Sequence, residues 1–173
     1  MYPYLRLIKV LASKRHDKNF KVNDESIIKL RVCLVDIDPF LELNNGRYLT
    51  MMDFGRFDVA IRTGLWKIMK KKKWGLIVAG ASVRFRYRLK LFQKYELHSQ
   101  VIGQEEKWFY FHQRIIRNGR IHASALVRTA VTSREGIVNT DEVLKALGNE
   151  THLPGVPGWV REWAKADELR PWE

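Results

Sequence analysis

Cysteine is nearly absent from this 173-residue chain: Cys33 is the only one, which excludes an intrachain disulfide and a multi-cysteine metal site and fits a reducing compartment. It lies in the apolar run Leu30–Val35, where a small buried core residue is expected. Long apolar runs are missing as well. The opening segment, Met1 to Ala12, is short and broken by Arg6 and Lys9, so it matches neither a membrane span nor a signal peptide. Leu5, Ile8, Leu11 and Ala12 still share a helical face beside Arg6, Lys9 and Lys14, which suits a docked helix or an interfacial anchor. There is no Gly-x-Ser-x-Gly nucleophile turn and no glycine-rich phosphate loop. His98, His112 and His122 fall on separate segments without zinc-ligand spacing, so no metal is assigned. Acidic residues are scarce, 19 against 31 Lys and Arg, and the net charge of +12 favours an acidic partner without choosing among nucleic acid, an anionic membrane and a phosphorylated ligand.

Hydrophobic residues make up 46% of the chain, enough for one folded domain with a sizeable core. After a polar linker from His16 to Glu25, residues 27–34 read as a strand. From Asn45 to Lys72, Tyr48, Met52, Val59, Trp66 and Met69 recur at helical spacing, predicting one long helix with Gly55 and Gly64 inside it. The second half is strand-like. Val83, Phe85, Tyr87 and Leu89 alternate with Arg84, Arg86 and Arg88, and three further strands are expected over residues 95–103, 107–117 and 121–133. Asn118-Gly119 marks a two-residue hairpin between the last two. A short helix opens at Thr140, and a Pro/Gly stretch leads to a tryptophan-containing tail that suits a short helix. One amphipathic helix cannot cover both faces of such a sheet, so the expectation is an α+β fold, the sheet curled around the helix and completed by a second copy.

The chemistry-bearing segment is residues 35–48, Val-Asp-Ile-Asp-Pro-Phe-Leu-Glu-Leu-Asn-Asn-Gly-Arg-Tyr. An acid held beside helix-terminal N–H groups is a geometry suited to attack on a carbonyl. Asp38 is the candidate acid; its plain alternative is a turn aspartate before Pro39. Asp36 points to the opposite face of an extended segment and reads as structural. Asn45 suits the orientation of water or substrate, or an N-cap. Asp53 and Arg56 read as a helix ion pair. The basic residues Arg84, Arg86, Arg88 and Lys90 are a solvated face or a phosphate contact, and Trp108 to Phe111 are core and interface.

These residues, with the order strand, long helix, antiparallel strands, make the chain resemble the hot-dog fold, in particular the 4-hydroxybenzoyl-CoA thioesterase-like acyl-CoA thioesterases. The resemblance rests on Asp36, Asp38, Asn44, Asn45, Tyr48, Asp53, Gly55 and Arg56, runs on through residues 62–65, 82–85 and 107–110 and the Asn118-Gly119 hairpin, and covers residues 25–148. It implies an antiparallel sheet of five or six strands wrapped around one long central helix, dimerising. Residues 1–24 then form an N-terminal amphipathic segment and linker, and residues 149–173 a C-terminal tail.

The resemblance implies an acyl-thioester hydrolase without a cofactor. Asp38 acts as general base or nucleophile with help from Asn45. Substrate-binding positions are Glu42, Asn44, Tyr48, Met52, Phe57, Arg88 and Lys90, with the thioester carbonyl at the helix N-terminus and the acyl chain in a tunnel between protomers. Expected partners are an acyl-CoA or acyl-carrier thioester and a second copy, as homodimer or tetramer. No specific nucleic acid is expected, and residues 1–14 are expected to give at most weak membrane association to a cytoplasmic protein. Two residues depart from the family pattern: Glu42 stands where a histidine is common, and Leu41 where a glycine is common. They motivate a second reading, a non-catalytic acyl-CoA-binding module. The charge motivates a third, a nucleic-acid or anionic-membrane binder.

Overall fold

The computed structural model describes residues 3–13, 17–148 and 153–171; Lys14 and the side chain of Leu11, both invoked for the N-terminal helix, lie outside the described set. The elements in order are α1 (Tyr4–Ser13), β1 (Ser26–Arg31), α2 (Asn45–Arg62), α3 (Leu65–Lys72), β2 (Gly75–Phe85), β3 (Lys94–Gln104), β4 (Phe109–Arg117), β5 (Arg120–Ser133), β6 (Gly136–Ile137), α4 (Thr140–Ala146) and α5 (Gly158–Glu168). The strands form one antiparallel sheet in the order β1-β3-β4-β5-β2, with β6 added to the end of β5.

Helix α2 lies on the inner face. Met51, Met52 and Phe54 are fully buried there against Leu97, Ile115, Val127 and Val131, and each such side chain stabilises the fold by about 1.5–3 kcal/mol. Close approach requires Gly55, where an added Cβ would lie 2.0 Å from the Ser99 hydroxyl on β3. Helix α5 covers part of the outer face: Val160 and Ala164 pack with Tyr110, Leu126 and Trp163. Arg128 lies between the Trp108 and Trp163 rings and pairs with Asp167 at 3.0 Å. Residues of the tail thus help bury the sheet.

The hairpin forms as expected, with Asn118 and Gly119 both at positive φ (50° and 71°). Four local expectations are corrected. The long helix breaks after Arg62, because the Thr63 hydroxyl turns back to the Val59 carbonyl (2.8 Å) and Gly64 takes a left-handed conformation at φ 83°. The first strand stops at Arg31 and passes into a 3-10 turn at Leu34–Asp36, which leaves Cys33 half-buried rather than in the core. The basic strand ends at Phe85, since the Arg86 and Tyr87 amides converge on one carbonyl, that of His122, and the ladder cannot continue. The cap of α2 also shifts by one residue, to Asn44 from Asn45, its side chain accepting from the amide two residues on, as Asn139 does for α4, which opens at Thr140 as expected.

Candidate active site

Residues 36–44 form a small hairpin that turns into the N-terminus of α2. Ile37 bridges Leu43, the Asp38 amide donates to Glu42 O (2.9 Å), and the Asn44 amide donates to Asp36 O (2.9 Å). On its other side the hairpin is stitched to the segment after β2: Leu43 N–H donates to Leu89 O at 2.7 Å and Glu42 bridges Lys90. The Asp38 carboxylate sits half-buried at the tip and accepts from the amides of Phe40 (2.9 Å) and Glu42 (3.4 Å), which is the turn-aspartate arrangement. Leu41 closes the tip at φ 59°, a conformation that glycine adopts without a steric cost.

Around this turn the structure gathers Asp38, Glu42, Asn44, Asn45, Tyr48, Arg88 and Lys90. Glu42 pairs with Arg88 at 3.3 Å. The Asn44 side chain takes up the Gly46 amide, so one first-turn donor of α2 is already occupied, while Asn45 is exposed at the helix mouth. Tyr48 is buried, edge-on to Phe85 at 4.9 Å, and burial pushes its phenol up to about 12 against the opposing pull of a hydrogen bond with the Leu89 backbone. It is a neutral wall of the turn.

Met52 and Phe57 lie elsewhere. Met52 is fully buried in the core. Phe57 lines an apolar cavity of about 120 Å³ beneath the second half of α2, walled by Ala60, Leu76, Ile77, Val78 and Val131. Asp53 and Arg56 also reach this cavity. Their ion pair is present as expected, and Arg56 donates in addition to the Gln113 side chain at 2.6 Å. Gln113, fully buried, passes the network to Met52 O and the Ser99 hydroxyl, both at 2.8 Å. Cavity-side roles for Asp53 and Arg56 were missed because helical spacing alone accounts for their pairing. Asp53 lies eight positions beyond Asn45, about 12 Å along the helix axis, so within one copy the turn and the cavity are separate.

Asp36 is the structural partner of the two acids. Its carboxylate is buried and is held by Arg6 of α1 (2.6 Å) and the Cys33 amide (2.9 Å). The histidines serve the outer parts of the sheet: His98 lies between Glu25 (3.0 Å) and Glu96 (3.3 Å), and His112 meets the Ser124 hydroxyl at 2.9 Å.

The model of the thioesterase-like superfamily matches residues 32–164, a span that includes the turn, α2, all of the cavity lining but Val22, and most of α5. The chain belongs to the thioesterase-like superfamily. The class of enzyme this membership implies is a thioester hydrolase. Protein THEM6 of Drosophila melanogaster is 29% identical over 163 residues, covering 92% of this chain and 82% of the fly protein. Protein THEM6 of Danio rerio is 35% identical over 109 residues, where this chain spans 54% of the fish protein. Thioesterase poxG of Penicillium oxalicum is 27% identical over 94 residues, 53% of this chain and 31% of that protein. In fold, the chain is similar to the gentisyl-coenzyme A thioesterase BH1999, with a TM-score of 0.63 at 17% identity over 70% of this chain and 98% of that one. It is equally similar to a DHNA-CoA thioesterase from Staphylococcus aureus, with a TM-score of 0.63 at 15% identity over 84% of this chain and 92% of that one. The superfamily's hot-dog architecture is therefore the fold of this chain. Among the described residues no helix is long and apolar enough to cross a membrane.

Proposed function

We propose that this chain hydrolyses acyl-CoA thioesters at a site completed by a second copy, with Asp38 as general base or nucleophile. The observation that carries the reading is the run of β2 between the two half-sites. Its Phe85 end packs on Tyr48 beside the Asp38 turn, and its Leu76–Val78 end walls the apolar cavity. β2 is an edge strand with Leu76, Ile77 and Val78 partly exposed. Antiparallel pairing of β2 with its counterpart would set the Phe85 end of one copy beside the Leu76 end of the other. Asp38 of one copy would then face the cavity of the second, which would hold the acyl chain against Phe57. Asn45 at the helix mouth would orient water or the carbonyl, and the exposed Arg88 and Lys90 lie where a phosphate-bearing thioester would pass. Positioned acid–base help of this kind is worth about 10²–10⁴-fold in rate.

The test is thiol release from short, long and aromatic acyl-CoAs and from a carrier-protein thioester. Hydrolysis of one class well above background supports the reading and names the substrate. A second reading, a non-catalytic acyl-thioester binder, is favoured by two observations: Asp38 already accepts two turn amides, and Glu42 is engaged by Arg88. It predicts no thiol release across the panel together with a rise in melting temperature on adding CoA esters.

A further inference from the structure

The cavity beneath α2 has one open flank and a closed back. Leu76 and Val78 of β2 lie directly opposite Val131 and Thr129 of β5, so all four turn to the inner side of the sheet and line the cavity together. Leu76 and Val78 are exposed, which makes the β2 edge the mouth. Away from that edge the lining crosses β5 and β4 and ends at Val101 of β3 and at Val22, both buried. Helix α4 closes the end of the sheet, where Val143 and Leu147 line the cavity. It is held there by the Thr140 amide on Glu106 O (3.0 Å) and the Thr140 hydroxyl on Glu105 O (2.7 Å). A chain entering from the mouth therefore meets a stop.

Size and polarity then limit what fits. The volume of about 120 Å³ is a little below the roughly 150 Å³ of an apolar cavity that takes up benzene, so about six carbon atoms fill it. The polar lining groups are already committed. The Thr63 hydroxyl donates to Val59 O at 2.8 Å and the Thr129 hydroxyl to Phe109 O at 3.2 Å. Arg56 is shared between Asp53 and the Gln113 side chain, and Asp53 is a third exposed, toward solvent. The deep part offers apolar contact and no free donor.

We propose that the acyl group this site takes is short and unsubstituted, its length limited by the closed back of the cavity, with Leu147 of α4 and Ala60 of α2 as specificity-determining residues. The proposal rests on the reading that the cavity receives the acyl group. Leu147 is half-buried at the α4 end, and Ala60 is a small buried residue on the α2 wall. A long fatty chain exceeds the space, and a hydroxyl carried into the cavity loses its water partners without replacement.

The full chain is titrated by calorimetry with S-alkyl-CoA thioethers from ethyl to dodecyl, which cannot be hydrolysed, and with S-(6-hydroxyhexyl)-CoA. Affinity should rise about fourfold per methylene and stop rising at about six to eight carbons, where the cavity is full. The hydroxyhexyl thioether should bind about tenfold or more weakly than S-hexyl-CoA. Leu147→Ala should move the break outward by about two to three carbons, the volume removed at the α4 end. Ala60→Leu should move it inward by about as much, and it fills existing space, so the fold should tolerate it. A rise that continues unbroken to dodecyl overturns the proposal and leaves the thioesterase reading standing. So does a break that neither variant moves, which would place the chain outside this cavity. Equal binding of the hydroxyhexyl and hexyl thioethers overturns the unsubstituted part of the assignment. Thiol release is read separately: a break near six to eight carbons without hydrolysis of any acyl-CoA supports the cavity assignment and sinks the hydrolase reading.

Discussion

Strands β1 and β2 each run along an edge of the sheet, but they are built from opposite materials. β1 carries Lys29 and Arg31, both exposed on its outward side. Ser26 at its start donates to the buried Asp58, and the preceding Glu25 ties His98 and Arg114 together. β2 holds no charged residue from Gly75 to Val83 and leaves Leu76, Ile77 and Val78 partly exposed beside an apolar cavity. A charged edge resists pairing with another chain, whereas a long uncharged edge invites it. The contrast teaches which side of the molecule a second copy should take, and therefore which half-sites it would bring together.

The largest effect should come from giving β2 the character of β1. Val78→Lys, at a position 51% exposed, puts a charge on the pairing edge and should convert a dimer to a monomer in sedimentation, with thioester hydrolysis falling toward background. A Val78→Lys dimer with full turnover would break the comparison.

The packing that holds β3 to α2 is tested next. Gly55→Ala forces a Cβ into the Ser99 hydroxyl and the Gln113 amide, and overpacking of this kind should lower stability by about 1–3 kcal/mol in denaturant unfolding. A smaller, pH-dependent effect belongs to the β1 side. Burial alone would raise the Glu25 carboxyl, but the His98 and Arg114 hydrogen bonds outweigh it and hold the group below its ordinary 4.5. Its stabilising contribution is therefore complete above about pH 4.5 and is lost as the pH falls through the lower folded value. Arg114→Ala should shift acid unfolding, followed by circular dichroism, to higher pH while leaving neutral-pH hydrolysis unchanged.

The smallest effect lies on the turn that links the two edges. Leu41 sits at φ 59°, where a side chain costs about 1–2 kcal/mol and glycine's extra unfolded-state freedom returns about 0.5–1. Leu41→Gly should raise the melting temperature slightly.

Much of this frame was legible in the sequence. The Asn118-Gly119 hairpin, the alternating strands and the helical spacing of Tyr48 and Met52 are local signals, and each lies where the periodicity puts it. The breaks were harder to read. Gly64 ends α2 because Thr63 bonds back to Val59, and the strand at Phe85 ends because two amides share the His122 carbonyl; both depend on partners that spacing does not reveal. At the site, the cluster of Asp38, Glu42, Asn44 and Tyr48 follows from their closeness in sequence. The placement of Arg88 beside Glu42 follows only from the long-range pairing of Leu43 with Leu89. Phe57 and Met52, one turn and a half apart on the helix, part company because one faces the cavity and the other the core.

The most direct measurement is thiol release by wild type and Asp38→Asn on the best acyl-CoA substrate, with the melting temperature of each. Asparagine keeps the oxygen that accepts from Phe40 and Glu42, so the turn is retained while the carboxylate is lost. The account predicts a rate lower by about 10²–10⁴-fold at an unchanged melting temperature. Wild-type turnover by a correctly folded Asp38→Asn protein would contradict it and return Asp38 to a purely structural place in the turn.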